Sequence, residues 1–140
     1  MKTVSNAVGE FLKRPLVSTL ATIDEDGSPR TRAIWHDWSE QGLLLFTSTK
    51  SPKWKNIEID NRVSLCVDDP EPPYKSVIID GHAVRKSGEE DLLYPIVLKM
   101  AKKYYGETEG RNFANSYQNM TPADVALFEI VIDRITTQEI

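Results

Sequence analysis

Residues 16–38 read LVSTLATIDEDGSPRTRAIWHDW. Two runs rich in apolar and β-branched residues flank the turn Asp24-Glu25-Asp26-Gly27, where Gly27 suits the positive φ of a tight hairpin. The first run, residues 16–23, predicts a strand. The second, residues 30–38, alternates. Arg30, Arg32, Ile34, His36 and Trp38 fall on one face, and Thr31, Ala33, Trp35 and Asp37 on the other. Neither face is purely polar. A strand with large residues on both faces fits a small barrel, or a strand covered by a second subunit.

Working outward, a turn at Ser39-Glu40-Gln41-Gly42 leads to LLLFTS at residues 43–48, a nearly continuous apolar strand of the kind found at a central position. Ser51-Pro52 is a helix start, Ser51 as cap and Pro52 in the first turn, and the helix runs to about Ile59 or Asp60 with Trp54 and Ile57 inward. Residues 62–67 alternate, with Val63, Leu65 and Val67 inward and Cys66 out of phase. The proline-rich segment 68–73 cannot join a ladder. Residues 75–85 return as a strand, with Gly81 at a bulge.

Upstream, Val4, Val8, Phe11 and Leu12 mark a short amphipathic helix that Pro15 stops. Downstream, Ser87 and Glu90 match a capping box, and Leu93, Ile96, Val97, Met100 and Tyr104 form an apolar stripe that ends at Gly106 and contains Pro95, which either kinks the helix or marks the start of its regular part. Residues 111–117 suggest a short helical turn, and 125–132 a last strand. Six or seven antiparallel strands with two or three peripheral helices predict a mainly β (α+β) fold, a closed or split barrel, since closure removes exposed edges.

The chain has 140 residues, 40% of them hydrophobic and 27% charged, which suits one domain spanning 1–140. Seventeen Lys plus Arg against twenty-one Asp plus Glu give a net charge of -4, which argues against a dedicated nucleic-acid binder. One cysteine permits no intrachain disulfide, and two histidines make a structural zinc cluster an unsuitable reading, so no metal is expected. No stretch approaches the roughly 20 apolar residues of a membrane span. The expectation is a reduced, cytoplasmic protein with no membrane partner.

Nucleophile elbows, P-loops and dinucleotide fingerprints are absent. If the chain is an enzyme, its reactive group comes from a cofactor, and no catalytic side chain is assigned. The strongest local signal is TSTKSPKWKN at residues 47–56. Hydroxyls and three lysines cluster where a strand hands over to a helix, and a helix N-terminus adds unpaired N–H donors, so the segment suits a phosphate group. The plainer reading is a capped, solvated helix start. Arg30 and Arg32 share one strand face, which fits an anion or an exposed face covered by arginine stems. His36 reads as structural or exposed, and Trp35 and Trp38 as packing or as flanks of a planar ligand.

In order, LATIDEDGSP (20–29), RAIW (32–35), LFT (45–47), SPKWKNI (51–57) and RVSL (62–65) resemble the pyridoxamine 5'-phosphate oxidase-like flavin-binding split-barrel family, in particular its flavin/deazaflavin oxidoreductase branch. The resemblance implies a homodimer of split β-barrels with FMN, or in one branch an 8-hydroxy-5-deazaflavin (coenzyme F-420), in grooves at the interface. Carried over, Arg32, Ala33, Ile34 and Trp35 would line the ring and ribityl side, with Thr47 and Ser48 at the strand end. Ser51 and Lys53 would hold the phosphate, with Lys50 or Lys55 near, and Arg30, Lys50 or a residue of the partner subunit would supply the charge that Pro52 leaves missing. Asn56 matches the family's helix asparagine, in a structural role. Pro52 stands where the family often has arginine. The segment RITTQEI (134–140) lacks the Arg-x-His by which true pyridoxamine phosphate oxidases hold substrate, so vitamin B6 oxidation is not implied. The implied function is hydride transfer through flavin N5 to or from a small molecule, with NAD(P)H as a possible donor. A non-catalytic flavin or heme-type binder is the alternative.

Overall fold

The computed structural model describes residues 3–140. Seven strands form one antiparallel sheet: β1 (Ser18–Ile23), β2 (Pro29–Ile34), β3 (Asp37–Ser39), β4 (Gly42–Ser48), β5 (Arg62–Asp68), β6 (Ser76–Arg85) and β7 (Val125–Gln138). Four helices flank it: α1 (Asn6–Leu12), α2 (Pro52–Ile59), α3 (Glu89–Tyr105) and α4 (Glu107–Asn115).

The sheet order is β2-β1-β5-β6-β7-β4-β3, so β2 and β3 are its two edges. Yet only Trp35 and His36 separate them in sequence. Three Cα steps of about 3.8 Å span at most about 11 Å, so the two edges meet at this corner. A seven-stranded sheet can satisfy that only by curling on itself. The result is a barrel with a seam, open where β2 and β3 do not pair. The expectation of one strand over residues 30–38 is corrected here. The alternation that suggested it continues in the sequence, but the chain leaves one edge and joins the other. His36 plugs the corner, fully buried, with Nε2 2.9 Å from the Leu12 carbonyl oxygen and Nδ1 3.0 Å from Ser18 Oγ.

The run Leu43-Leu44-Leu45-Phe46 is apolar throughout because β4 is covered on both faces. Leu43 and Leu45 face the barrel interior with Leu20, Leu65, Ile79 and Phe128. Leu44 and Phe46 face a second core with Leu127, Leu93, Val97 and Met100, built by α3 and α4 packing outside β4 and β7. β5 alternates as expected, with Val63, Leu65 and Val67 buried and Cys66 on the other face. Burial and the nearby Asp68 push the Cys66 thiol upward.

A register shift between Asp80 and Gly81 bends β6 against β7, as the glycine predicted. α2 also forms as read, with Ser51 Oγ accepting from the Trp54 amide at 3.2 Å and Pro52 in the first turn. Three readings change. α3 begins at Glu89 with Gly88 at its cap in the left-handed region and no side-chain cap, not with a Ser87 capping box, and the buried Glu89 carboxylate accepts from the Leu127 amide at 3.0 Å. Pro95 lies inside α3 on an exposed position. The expected turn at 111–117 is a full helix, α4, which makes four helices rather than two or three. α4 fits against α3 through Gly110, where a Cβ would sit 2.6 Å from the Lys102 nitrogen.

Burial pulls the His36 pKa down to about 4, helped by the nearby Lys103 charge, while the Leu12 carbonyl opposes the shift. The imidazole is therefore neutral in the fold and, on reaching solvent, titrates near 6.5. Between those values the unfolded chain binds the extra proton, so stability is intact above about pH 6.5 and falls as pH drops toward 4. The expected loss is about 2 kcal/mol at pH 5 relative to pH 8. Urea unfolding of wild type and His36→Gln over this range checks it, since the variant lacks this contribution. Parallel curves would refute the assignment.

Candidate functional site

The hairpin β1–β2 and the start of α2 enclose a cleft of about 350 Å³. Thr22, Arg30, Arg32, Lys53 and Asn56 are among the residues on its walls. Packing explains why these residues meet. Trp54 and Ile57 bury into the barrel, which turns Lys53 and Asn56 toward β1 and β2. Asn56, nearly buried, donates from Nδ2 to Thr22 Oγ1 at 3.1 Å and ties α2 to β1.

The charges here are unequal. Arg30 spends its guanidinium on Asp24, with Nε 3.1 Å from the carboxylate. Arg32 and Lys53 have no carboxylate partner among the described residues. Burial first, and the Arg32 charge second, lower the Lys53 pKa. Two unneutralised cations, one of them half-buried, make a cleft that favours an anion. The Lys53 amide adds a first-turn donor of α2 with no partner among the described residues, since Pro52 has no N–H and Ser51 takes the Trp54 amide.

Along the same strand lies a second cleft of about 250 Å³, walled by Val17, Ala33, Ile34, Trp35, Phe46 and Phe113. It carries no charged side chain. Trp35 is held on three sides: stacked on Tyr104 with centroids 5.1 Å apart and planes 9° apart, edge-on to Tyr105, and against Phe113 at 5.0 Å. β2 thus runs from a basic cleft to an apolar, aromatic one, at the open seam of the barrel. Five of its six residues are exposed.

Of the residues singled out from sequence, Arg30, Arg32 and Lys53 line the basic cleft and Ala33, Ile34 and Trp35 the apolar one. Thr47, Ser48, Lys50 and Ser51 line neither. Thr47 Oγ1 lies 3.1 Å from Ser51 Oγ, behind the α2 cap, and Ser48 Oγ accepts from the Lys50 amide at 3.2 Å. Sequence reasoning missed Thr22, which looks like any strand threonine, and Phe113, which lies on the helix read as a turn. His82 lies apart, on β6, paired with Asp133 at 3.3 Å. Among the described residues no helix is long and apolar enough to cross a membrane, and no cluster of three His, Cys, Asp or Glu could hold a metal.

The family model described as pyridoxamine 5'-phosphate oxidase matches residues 4–139, so the chain belongs to that family. No curated protein matches the sequence. Among solved structures, the conserved hypothetical protein Rv2991 from Mycobacterium tuberculosis is similar, with 26% identity, TM-score 0.77, and 96% of this chain and 84% of that one covered. An F420 reductase is similar at 27% identity and TM-score 0.72, over 95% of this chain and 98% of its own. HutZ, a heme storage protein from Vibrio cholerae, shares the fold at 18% identity and TM-score 0.71, over 96% of this chain and 94% of its own.

Proposed function

We propose that this chain is a flavin-dependent oxidoreductase that binds FMN along β2, with the phosphate at Lys53 and Arg32 and the ring against Ala33, Ile34 and Trp35. The carrying observation is the adjacency of a cleft with two unneutralised cations and an uncharged aromatic cleft on one strand. A molecule with a dianionic tail and a planar apolar head matches both. When bound, the flavin supplies hydride acceptance and donation at its N5. The protein's own part is to anchor the tail, shape the ring's apolar bed and keep water from it. The exposed edge strand supports a homodimer, in which a second copy covers β2 and completes the groove. The substrate is a small molecule, with NAD(P)H as a candidate donor.

A deazaflavin in the same groove is the second reading, favoured by the similarity to an F420 reductase. The visible spectrum and the mass of the cofactor retained by the purified protein distinguish the two. FMN is expected to bind stoichiometrically and to bleach on addition of NADPH or NADH, with recovery when an electron acceptor is supplied. Tight binding without turnover would make the protein a flavin binder rather than an enzyme. Failure to take up either cofactor would overturn the proposal.

A further inference from the structure

Where the C-terminal end of α1, β3 and α3 meet, a cavity of about 300 Å³ is lined by Lys13, Asp37, Trp38, Lys99 and Lys103. It shares no lining residue with either cleft on β2. Three ammonium groups surround one carboxylate, in a chain whose net charge is -4. Asp37 is 3% exposed and pairs with Lys99 at 3.2 Å. Lys13 makes only an exposed pair with Glu10, at 3.5 Å.

Lys103 is the costly member. It is half-buried, and its Nζ donates to the Leu12 and His36 carbonyl oxygens at 3.0 Å each. It has no carboxylate within ion-pair distance among the described residues, and its ammonium also lies 4.9 Å from the centre of the Tyr104 ring. Burial lowers its pKa to about 8; Asp37 opposes the shift and Lys99 adds to it. Capping the end of α1 explains the two carbonyl bonds. Asp37 accounts for Lys99 and Glu10 for Lys13, but one buried carboxylate among three ammonium groups still leaves the cavity with a positive surplus. An anion in the cavity would offset that surplus.

We propose that this cavity is a second anion-binding site, which takes the phosphate or carboxylate of a small molecule between Lys99, Lys103 and Lys13, with the body of the ligand against Trp38. The site is independent of the flavin reading, and its test separates the two. The full chain is titrated at pH 7 with inorganic phosphate, then with phenyl phosphate, and followed by amide and indole NMR shifts. Saturable shifts are expected at Asp37, Trp38, Lys99 and Lys103 with a Kd of about 1 mM or tighter. Phenyl phosphate is expected to bind more tightly than inorganic phosphate, and equal binding would overturn the placement of the ligand body on Trp38. Lys13→Met with Lys99→Met should weaken binding at least tenfold; because losing Lys99 leaves the buried Asp37 unpaired, circular dichroism checks the fold, and Lys13→Met alone, at an exposed side chain, should weaken binding in the same direction with the remaining spectrum unaltered. Lys53→Met should remove shifts in the β2 cleft and leave these in place. Shifts confined to the cleft, no saturation by about 10 mM phosphate, or an unchanged affinity in the double variant would each overturn the proposal.

Discussion

Replacing Arg32 and Lys53 together by alanine is expected to weaken FMN binding at least a hundredfold. Each substitution removes a charged donor to a phosphate, an interaction of about 1.5–3 kcal/mol. Lys53 should carry the larger share. It is half-buried beside Arg32, so solvent screens it less, whereas the exposed Arg32 falls at the low end of the range. The double loss is therefore about 3 kcal/mol or more, with a flatter salt dependence because two charges are gone. Titration of flavin fluorescence at low ionic strength reads the constant directly, and circular dichroism confirms that the variant is folded. Alanine at both positions with an unaltered dissociation constant would place the phosphate elsewhere and remove the central support for the flavin reading.

Gly81→Ala should be the most damaging single methyl group in the chain. A Cβ at position 81 would lie 2.1 Å from the Val131 carbonyl oxygen and 3.0 Å from its carbon. Both atoms belong to backbone, so no side-chain rotation relieves the contact. β6 and β7 would have to separate at the bulge, in the middle of the longest ladder of the sheet. Overpacking typically costs about 1–3 kcal/mol, and a clash with fixed backbone lies at or beyond the upper end. The expected loss is about 3–5 kcal/mol. Urea unfolding checks it. A variant within about 1 kcal/mol of wild type would mean that the bend does not require a bare Cα here.

Local signals account for what the sequence made legible. The 24–27 turn closes as read, with the Gly27 amide donating to the Asp24 carbonyl oxygen at 2.8 Å, because acidic residues followed by glycine favour that geometry in any context. The α2 start is equally local, a serine cap followed by proline. The apolar run at 43–46 announced burial on both faces, although not what would cover the second face. What stayed hidden depends on distant parts of the chain. The break after Ile34 follows from sheet closure, which no window of nine residues contains. α4 carries few apolar residues and buries only Gly110 and Ala114, with Phe113 partly covered, so its tightest fit to α3 is a bare backbone approach that no apolar repeat announces. β7 runs on to Gln138 through polar residues because β6 is there to pair with it, as Val77↔Thr137 and Ile78↔Thr136 register shows. In the site, Arg32 and Lys53 were visible as charges out of place. The Asn56–Thr22 bond joins residues 34 positions apart and is set by the fold.

The separate core behind β4 has a kinetic meaning. α3 and α4 contribute to that cluster and leave the barrel interior almost untouched. Their fluctuation away from the sheet would cost the outer packing and the Glu89, Lys99, Lys103 and Tyr104 bonds that tie α3 to the barrel but would leave the barrel interior intact, so it should require less free energy than global melting. Phe113 rides on α4 and walls the aromatic cleft. Breathing of this helical hairpin is thus a route by which a flat molecule can slip in and out while the β scaffold keeps its hydrogen-bonded register.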